Sequence, residues 1–338
     1  MSHGVAVWSS AQWRETALEW LDRELAASGR ERSSEFASER VRPWAAVFEV
    51  PTSAATLWFK ACGPGTAFEV GLYGLLARVA PDRALTPIAA DPKRGWIVLP
   101  DGGPTLGEHP PGAERAELLT EALVEYGRLQ RRLEPHVDEM LELGVADMRP
   151  TAMPGRFDQA LAALARASEA DGDAEGREVL ERVAAIESRV GRWCERLAGS
   201  PLPASLDHND LHPWNVLGAG TGATRYYDWG DSVIAHPFAT ALVTLGFVRR
   251  DLGACLDDAR FLRARDAYLE VFTDLGSRAE LAETLELACR VAKIARVLTW
   301  ERALGAAREQ GEDLDPQWAD AIREGVRSIP EESWLGRV

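Results

Sequence analysis

The chain is short of lysine: Lys60, Lys93 and Lys293 are the three among 38 Lys and Arg in 338 residues. Where arginine supplies nearly every cation, a lysine marks a place suited to a compact point charge on a flexible stem. Basic charge is in deficit overall. Against 53 Asp and Glu the formal net charge is −15, which lacks the basic footprint that nucleic-acid phosphates require, so no nucleic-acid partner is expected. Cysteine is sparse too, and Cys62, Cys194, Cys255 and Cys289 show no paired spacing, as suits reduced thiols in a cytoplasm. No apolar run reaches the ~18–20 residues of a membrane span. The opening MSHGVAVWSS has neither a basic leader nor a long apolar stretch, so neither a membrane partner nor a signal peptide is expected. The 46% apolar and 27% charged residues otherwise describe a globular chain long enough for one large or two ordinary domains.

What is there in abundance is polar chemistry between residues 205 and 238. This stretch holds His208, His212 and His236, the carboxylates Asp207, Asp210, Asp228 and Asp231, and Asn215, set between short apolar runs. Val216-Leu217 and Tyr226-Tyr227 flank a glycine-rich turn and read as a β-hairpin, which would bring Asp210, Asn215 and Asp228 together. Asn215 follows Asp210 by five residues and Asp228 lies thirteen further on.

This spacing resembles the His-x-Asp-x-x-x-x-Asn catalytic loop of protein kinases and the metal-binding Asp that follows it. It is most similar to the aminoglycoside phosphotransferase and choline kinase branch, where the loop reads His-Gly-Asp-Leu-His-x-x-Asn and a later element Ile-Asp-Trp. Here Asn209 stands for the Gly and Tyr227-Asp228-Trp229 supplies the later element. The resemblance implies an α+β, protein-kinase-like two-lobed fold: a small N-terminal antiparallel sheet lobe (1–100), a hinge (101–106) and a larger, mostly helical C-terminal lobe (107–338). It implies transfer of the γ-phosphoryl group of ATP to a small-molecule hydroxyl, with Mg²⁺ held by Asn215 and Asp228. Asp210 would take the acceptor's proton, and His208 would brace the catalytic loop.

Taken in order, residues 9 to 28 read as an amphipathic helix opened by Ser9 and Gln12, with Trp13, Ala17, Trp20, Leu21 and Leu25 on one face. Residues 29 to 40 read as a loop and 41 to 45 as a turn, followed by strands at 45–50 and 56–61. Lys60 lies in the second strand and Glu69 in a helix that follows, so the resemblance casts them as the nucleotide-phosphate lysine and its partner. Two more strands, 85–90 and 96–99, lead to Pro100-Asp101-Gly102-Gly103, where the resemblance makes Leu99, the Pro100 carbonyl and the Gly102 amide candidates for adenine. The glycine-rich phosphate loop of protein kinases is missing. Beyond residue 110, helical periodicity covers 112–134, 156–169, 177–198, 236–250, 258–275, 278–308 and 316–327, and Trp193, Trp300 and Trp318 read as core or pocket-wall residues.

One departure bears on the catalytic loop. The family continues His-Pro-x-x-Asp after the metal Asp, whereas this chain has Thr240 in that place, which can hydrogen-bond but carries no charge, so the resemblance does not extend to the rigidity of the loop. The acceptor expected is an aminoglycoside, amino sugar or related sugar, which the acidic balance suits, although surface carboxylates equally serve solubility. The alternatives are a kinase of choline or homoserine type, a metallohydrolase built on His208, Asp210, His212, Asp228 and His236, and an inactive nucleotide-binding homologue.

Overall fold

The structure, a computed structural model, describes residues 4–171, 174–218, 220–221, 224–311, 314–315, 318 and 320–335. The chain divides into two compact units. The first comprises Met1–Gly103 together with Tyr227–Gly230 and Arg302–Asp315, and the second holds Pro104–Tyr226, Asp231–Glu301 and Pro316–Val338.

In the first unit a one-turn helix α1 (Val5–Trp8) precedes α2 (Ala11–Ala27), β1 (Glu39–Arg42), β2 (Ala45–Pro51), β3 (Thr56–Cys62), α3 (Phe68–Val79), β4 (Ala89–Asp91) and β5 (Trp96–Pro100). The five strands form one antiparallel sheet in the order β1-β2-β3-β5-β4. Period-two alternation puts Leu57, Phe59 and Ala61 of β3 on one face, where they pack with Ala17, Trp20, Leu21 and Leu25 of α2. Lys60 falls on the opposite face, which is why a lysine is tolerated in an otherwise apolar strand. The α2 cap is Ser10, whose Oγ accepts from the Trp13 amide, and not Ser9.

Three boundaries differ from expectation for physical reasons. Glu39–Arg42 is a strand and not a loop: it is an edge strand with little burial, so its Glu-Arg-Val-Arg sequence hides the period-two signal. The strand expected over 85–90 shortens to Ala89–Asp91, since Pro87 has no N–H to give a ladder. The hairpin pairs Val216 with Tyr226 and Leu217 with Arg225, which leaves Tyr227 outside the ladder; the expected turn includes residues 219, 222 and 223, which lie outside the described residues.

The second unit is largely helical: α4 (Ala113–Leu133), α5 (Val137–Glu142), α6 (Met153–Asp171), α7 (Ala174–Ala184), α8 (Glu187–Ala198), α9 (Ala241–Leu252), α10 (Ala259–Leu269), α11 (Arg278–Glu309, of which the part from Arg302 on counts with the first unit) and α12 (Ala321–Ser328). The helix expected from 236 starts at 241, because Pro237 opens a 3₁₀ turn over Pro237–Thr240 first. Of the expected 316–327 helix, 316, 317 and 319 lie outside the described residues, as do 172 and 173 of the expected 170–176 break. Trp193, Trp300 and Trp318 are half-buried. Short strands β6 (Ala146–Asp147), β7 (Ser205–Asp207) and β10 (Val233–Ala235) form a second sheet, and β8 (Val216–Leu217) pairs with β9 (Arg225–Tyr226).

Helix α4 is the scaffold of this unit. Its buried Leu119, Leu123 and Tyr126 share one face. From it the Tyr126 hydroxyl donates to the Leu206 carbonyl, and Gln130 Nε2 donates to the carbonyls of Leu206 and Pro237. These bonds fix the strand that leads into residue 208. No helix among the described residues is long and apolar enough to cross a membrane.

Candidate functional site

The first unit brings together Lys60, Glu69 and Asp228. Lys60 Nζ lies 2.6 Å from Glu69 Oε2 and 2.6 Å from Asp228 Oδ1. Burial opposes a charged ammonium here, but the two carboxylates outweigh it and hold the Lys60 pKa well above the ordinary lysine value. Glu69 is fully buried, so desolvation raises its pKa while Lys60 pulls it down. Its second oxygen accepts from the Trp229 amide at 3.0 Å, and the Cys62 thiol donates to Oε2 at 3.6 Å. Every acceptor of this buried carboxylate is therefore engaged, as burial of a charge demands.

The segment carrying Asp228 is shaped to match. Asp228 has a left-handed φ of 61°, a conformation that Asp tolerates better than most residues, and its amide donates to the Tyr73 hydroxyl at 3.2 Å. Gly230 follows because a β-carbon there would lie 3.1 Å from Glu69 Oε2. Asp228 itself is exposed, with 53% of its side chain accessible.

The second unit brings together Asp210, Asn215 and a residue that no motif announced, Arg296 of α11. Arg296 Nη1 lies 3.0 Å from Asp210 Oδ1 and 3.7 Å from Asp231 Oδ2, and it donates to the Asn209 carbonyl. Burial disfavours its charge, but Asp210, Asp231 and Asp207 together raise its pKa above the usual arginine value. His212 Nε2 lies 3.4 Å from Asp210 Oδ2. Asn215 is buried, and its Nδ2 donates to the Asp210 carbonyl at 3.0 Å, which leaves Oδ1 as the atom for a ligand.

Asn209 stands where a glycine was expected, and its φ of 60° explains the choice: Asn is among the few side chains that accept the left-handed region. Its Nδ2 also donates to Thr299 Oγ1 at 2.7 Å and to the Asp231 carbonyl at 3.2 Å, contacts glycine cannot make. His208 is fully buried, with its ring edge-on to Tyr126, so it does not reach solvent.

The loss of a carboxylate at position 240 is made good from the other side. The Thr240 hydroxyl donates to Asp207 Oδ1, which also accepts from the Asn209 amide at 2.8 Å. The acid sits on the loop strand and the hydroxyl on the turn after β10. Burial pushes the Asp207 carboxyl up to about 6, against the pull of Thr240, the Asn209 amide and Arg296.

Trp214, next to Asn215, is the one large apolar side chain exposed among the described residues, at 45%. One side packs on Gly107, where any β-carbon would overlap its ring, and Arg115 stacks 5.6 Å from it. Arg115 is fixed in turn by the buried Asp251, at 2.6 Å. In the first unit, Leu99 is buried and pairs with Trp58, Pro100 ends β5 opposite Leu57, and Gly102 lies half-buried just after. The five residues of the metallohydrolase alternative do not form a transition-metal cluster: among the described residues no group of three or more His, Cys, Asp or Glu could hold an ion. His236 Nδ1 accepts from the Phe238 amide, and burial lowers its pKa to about 3, which keeps the ring neutral.

Comparison with known proteins gives this geometry its relatives. Among solved structures the chain is similar to an ethanolamine kinase of Plasmodium vivax (TM-score 0.62, 10% identity, 98% of this chain and 91% of that one). It is similar also to the choline kinase LicA of Streptococcus pneumoniae (TM-score 0.56, 12% identity, 93% and 99%), and LicA has also been solved in complex with AMP. A third is the macrolide 2'-phosphotransferase MphH of Brachybacterium faecium (TM-score 0.53, 17% identity, 94% and 99%). At such identities the likeness is one of fold, the α+β protein-kinase-like fold. No curated protein matches the chain. Residues 64–281, well over half of the chain, match the family model described as the phosphotransferase enzyme family. The chain belongs to that family, as a phosphotransferase acting on hydroxyl groups of small molecules.

Proposed function

We propose that the protein moves the γ-phosphoryl group of ATP to a hydroxyl of a sugar or amino sugar. The observation that carries this reading is Lys60, a buried ammonium held 2.6 Å from each of two carboxylates of which one, Asp228, is exposed. A lysine fixed by Glu69 on a strand suits nucleotide phosphates, and an adjacent exposed carboxylate suits a hard cation. The AMP complex of the choline kinase neighbour supports a nucleotide, which Leu99, Pro100 and Gly102 would receive at its base.

Asp228 and Asn215 offer oxygen donors of the type Mg²⁺ takes, and Asn215 has already spent its nitrogen on the backbone. Bound there, the ion would neutralise charge on the phosphates. Asp210 orients the acceptor hydroxyl and accepts its proton as the new P–O bond forms. Arg296 holds the Asp210 carboxylate in one rotamer while His212 flanks its other oxygen. The exposed Trp214 ring supplies a flat apolar face of the kind that ring-shaped acceptors require.

Acceptor-dependent ADP release, measured across amino sugars, neutral sugars and amino alcohols, tests this. Turnover on a sugar or amino sugar well above the rate without acceptor is the expected result. Turnover confined to choline, ethanolamine or homoserine would replace the sugar reading with the amino-alcohol one. ATP-independent loss of phosphate from a preformed ester would reject phosphoryl transfer from nucleotide altogether.

A further inference from the structure

A cavity of about 730 Å³ opens in the first unit, walled by α1, α2, the end of β3, the start of α3 and the turn between β4 and β5. Its size is that of a small-molecule site. Trp8, Trp13 and Trp96 give it aromatic walls, with the Trp13 and Trp96 rings 5.8 Å apart and edge to face. Lys93 and Arg94 stand on its rim. Among the described residues no carboxylate lines it, although the chain carries 53 Asp and Glu against 38 Lys and Arg.

The Arg94 guanidinium lies 5.1 Å over the Trp96 ring and 3.7 Å from Asp91. Lys93 is exposed and is one of only three lysines in the chain. Gln12 adds a polar side chain to the lining, whereas the Ser10 and Thr16 hydroxyls donate to the carbonyls of Val7 and Gln12. Lys60 lies on the other side of the sheet from Phe59 and Trp20, and it is not among the residues that line the cavity.

We propose that this cavity is a second ligand site, which takes a small amphiphilic anion: a flat apolar body laid against the tryptophan-lined wall and a carboxylate or sulfonate at Lys93 and Arg94. Its position gives occupancy a consequence. Cys62 and Ala67 form part of the wall, and Cys62 donates to Glu69, the partner of Lys60.

The probe is 1-anilinonaphthalene-8-sulfonate, a flat aromatic anion, titrated into the full-length protein while its own emission and the quenching of tryptophan are followed. One saturable site per chain is expected. Lys93→Ala with Arg94→Ala should weaken it about tenfold, the effect of two partly exposed charge contacts. Thr16→Trp, a substitution at an exposed helix position that fills the cavity, should abolish the site. The uncharged counterpart N-phenyl-1-naphthylamine should bind about tenfold more weakly than the sulfonate. Equal affinity of the two probes, or an unchanged affinity in both variants, would overturn the assignment. None of these readouts depends on phosphoryl transfer, so the reading of the catalytic residues can fail without affecting the result.

Discussion

Replacing Thr240 with Val isolates the bond that stands in for the family's carboxylate at this position. Asp207 is fully buried and its carboxyl titrates near 6, compared with 3.8 for the ordinary group. A raised folded-state pKa means that the folded protein binds the proton more tightly than the unfolded chain. The associated stability is fully present below pH 3.8 and is lost as pH rises through 6, a change of about 3 kcal/mol at 1.36 kcal/mol per unit. The Thr240 hydroxyl limits that loss by donating to the ionised oxygen. Hydrogen bonds to charged groups contribute about 1.5–3 kcal/mol and neutral ones about 1, so Thr240→Val should cost about 2 kcal/mol at pH 8 and about half of that at pH 5. Urea unfolding at the two pH values, with the slope held constant, measures the difference. An equal loss at both would show that Asp207 is not ionised against Thr240, and a larger loss at pH 5 would reverse the assignment of donor and acceptor.

Asp210→Ala should lower turnover by about 10²–10⁴-fold while leaving Mg²⁺-nucleotide affinity within about tenfold, since only a positioning and proton-accepting group is removed; isothermal titration with initial rates separates the two. Asp228→Ala should abolish the metal dependence of nucleotide binding, which the same titration with and without Mg²⁺ reads. Lys60→Met leaves Glu69 buried without its cation and should cost about 3–5 kcal/mol in denaturant unfolding, with activity lost as well. Arg296→Gln should reduce kcat more than the acceptor KM, because the guanidinium touches Asp210; a pure KM effect in steady-state kinetics would place Arg296 in acceptor binding instead. Gly107→Ala should displace the Trp214 ring and alter tryptophan emission, whereas the same substitution in a Trp214→Ala background should be nearly silent.

The parts of the site that were legible in the sequence were those with fixed spacing or unusual chemistry. Lys60 stood out because the chain otherwise uses arginine, and Glu69 followed one helix turn into the next element, where the structure pairs them. Asp210 and Asn215 sit five residues apart in a loop, and the structure links them through one side-chain bond to the backbone. What stayed hidden depends on contacts between distant residues. Arg296 lies on a long helix among other arginines, and nothing local separates it from a solvated one. Asp207 looked like one acid among four until its partner, 33 residues on, proved to be the residue whose missing charge had caused concern. Strand β1 escaped because an edge exposes both faces, which erases the alternation that reveals a half-buried strand.

The first unit is discontinuous in the chain, and that has a consequence for biosynthesis. When residue 103 has left the ribosome, the amino-terminal sheet is complete, but the Trp229 amide that caps Glu69 and the carboxylate of Asp228 have not been translated. At ~5–20 residues per second the nascent chain waits about 6–25 s for them, with an ammonium and a carboxylate half satisfied inside a nearly finished β-layer. Emergence of residues 228 and 229, more than of the first hundred residues, therefore sets the moment at which Lys60 and Glu69 gain their remaining partners.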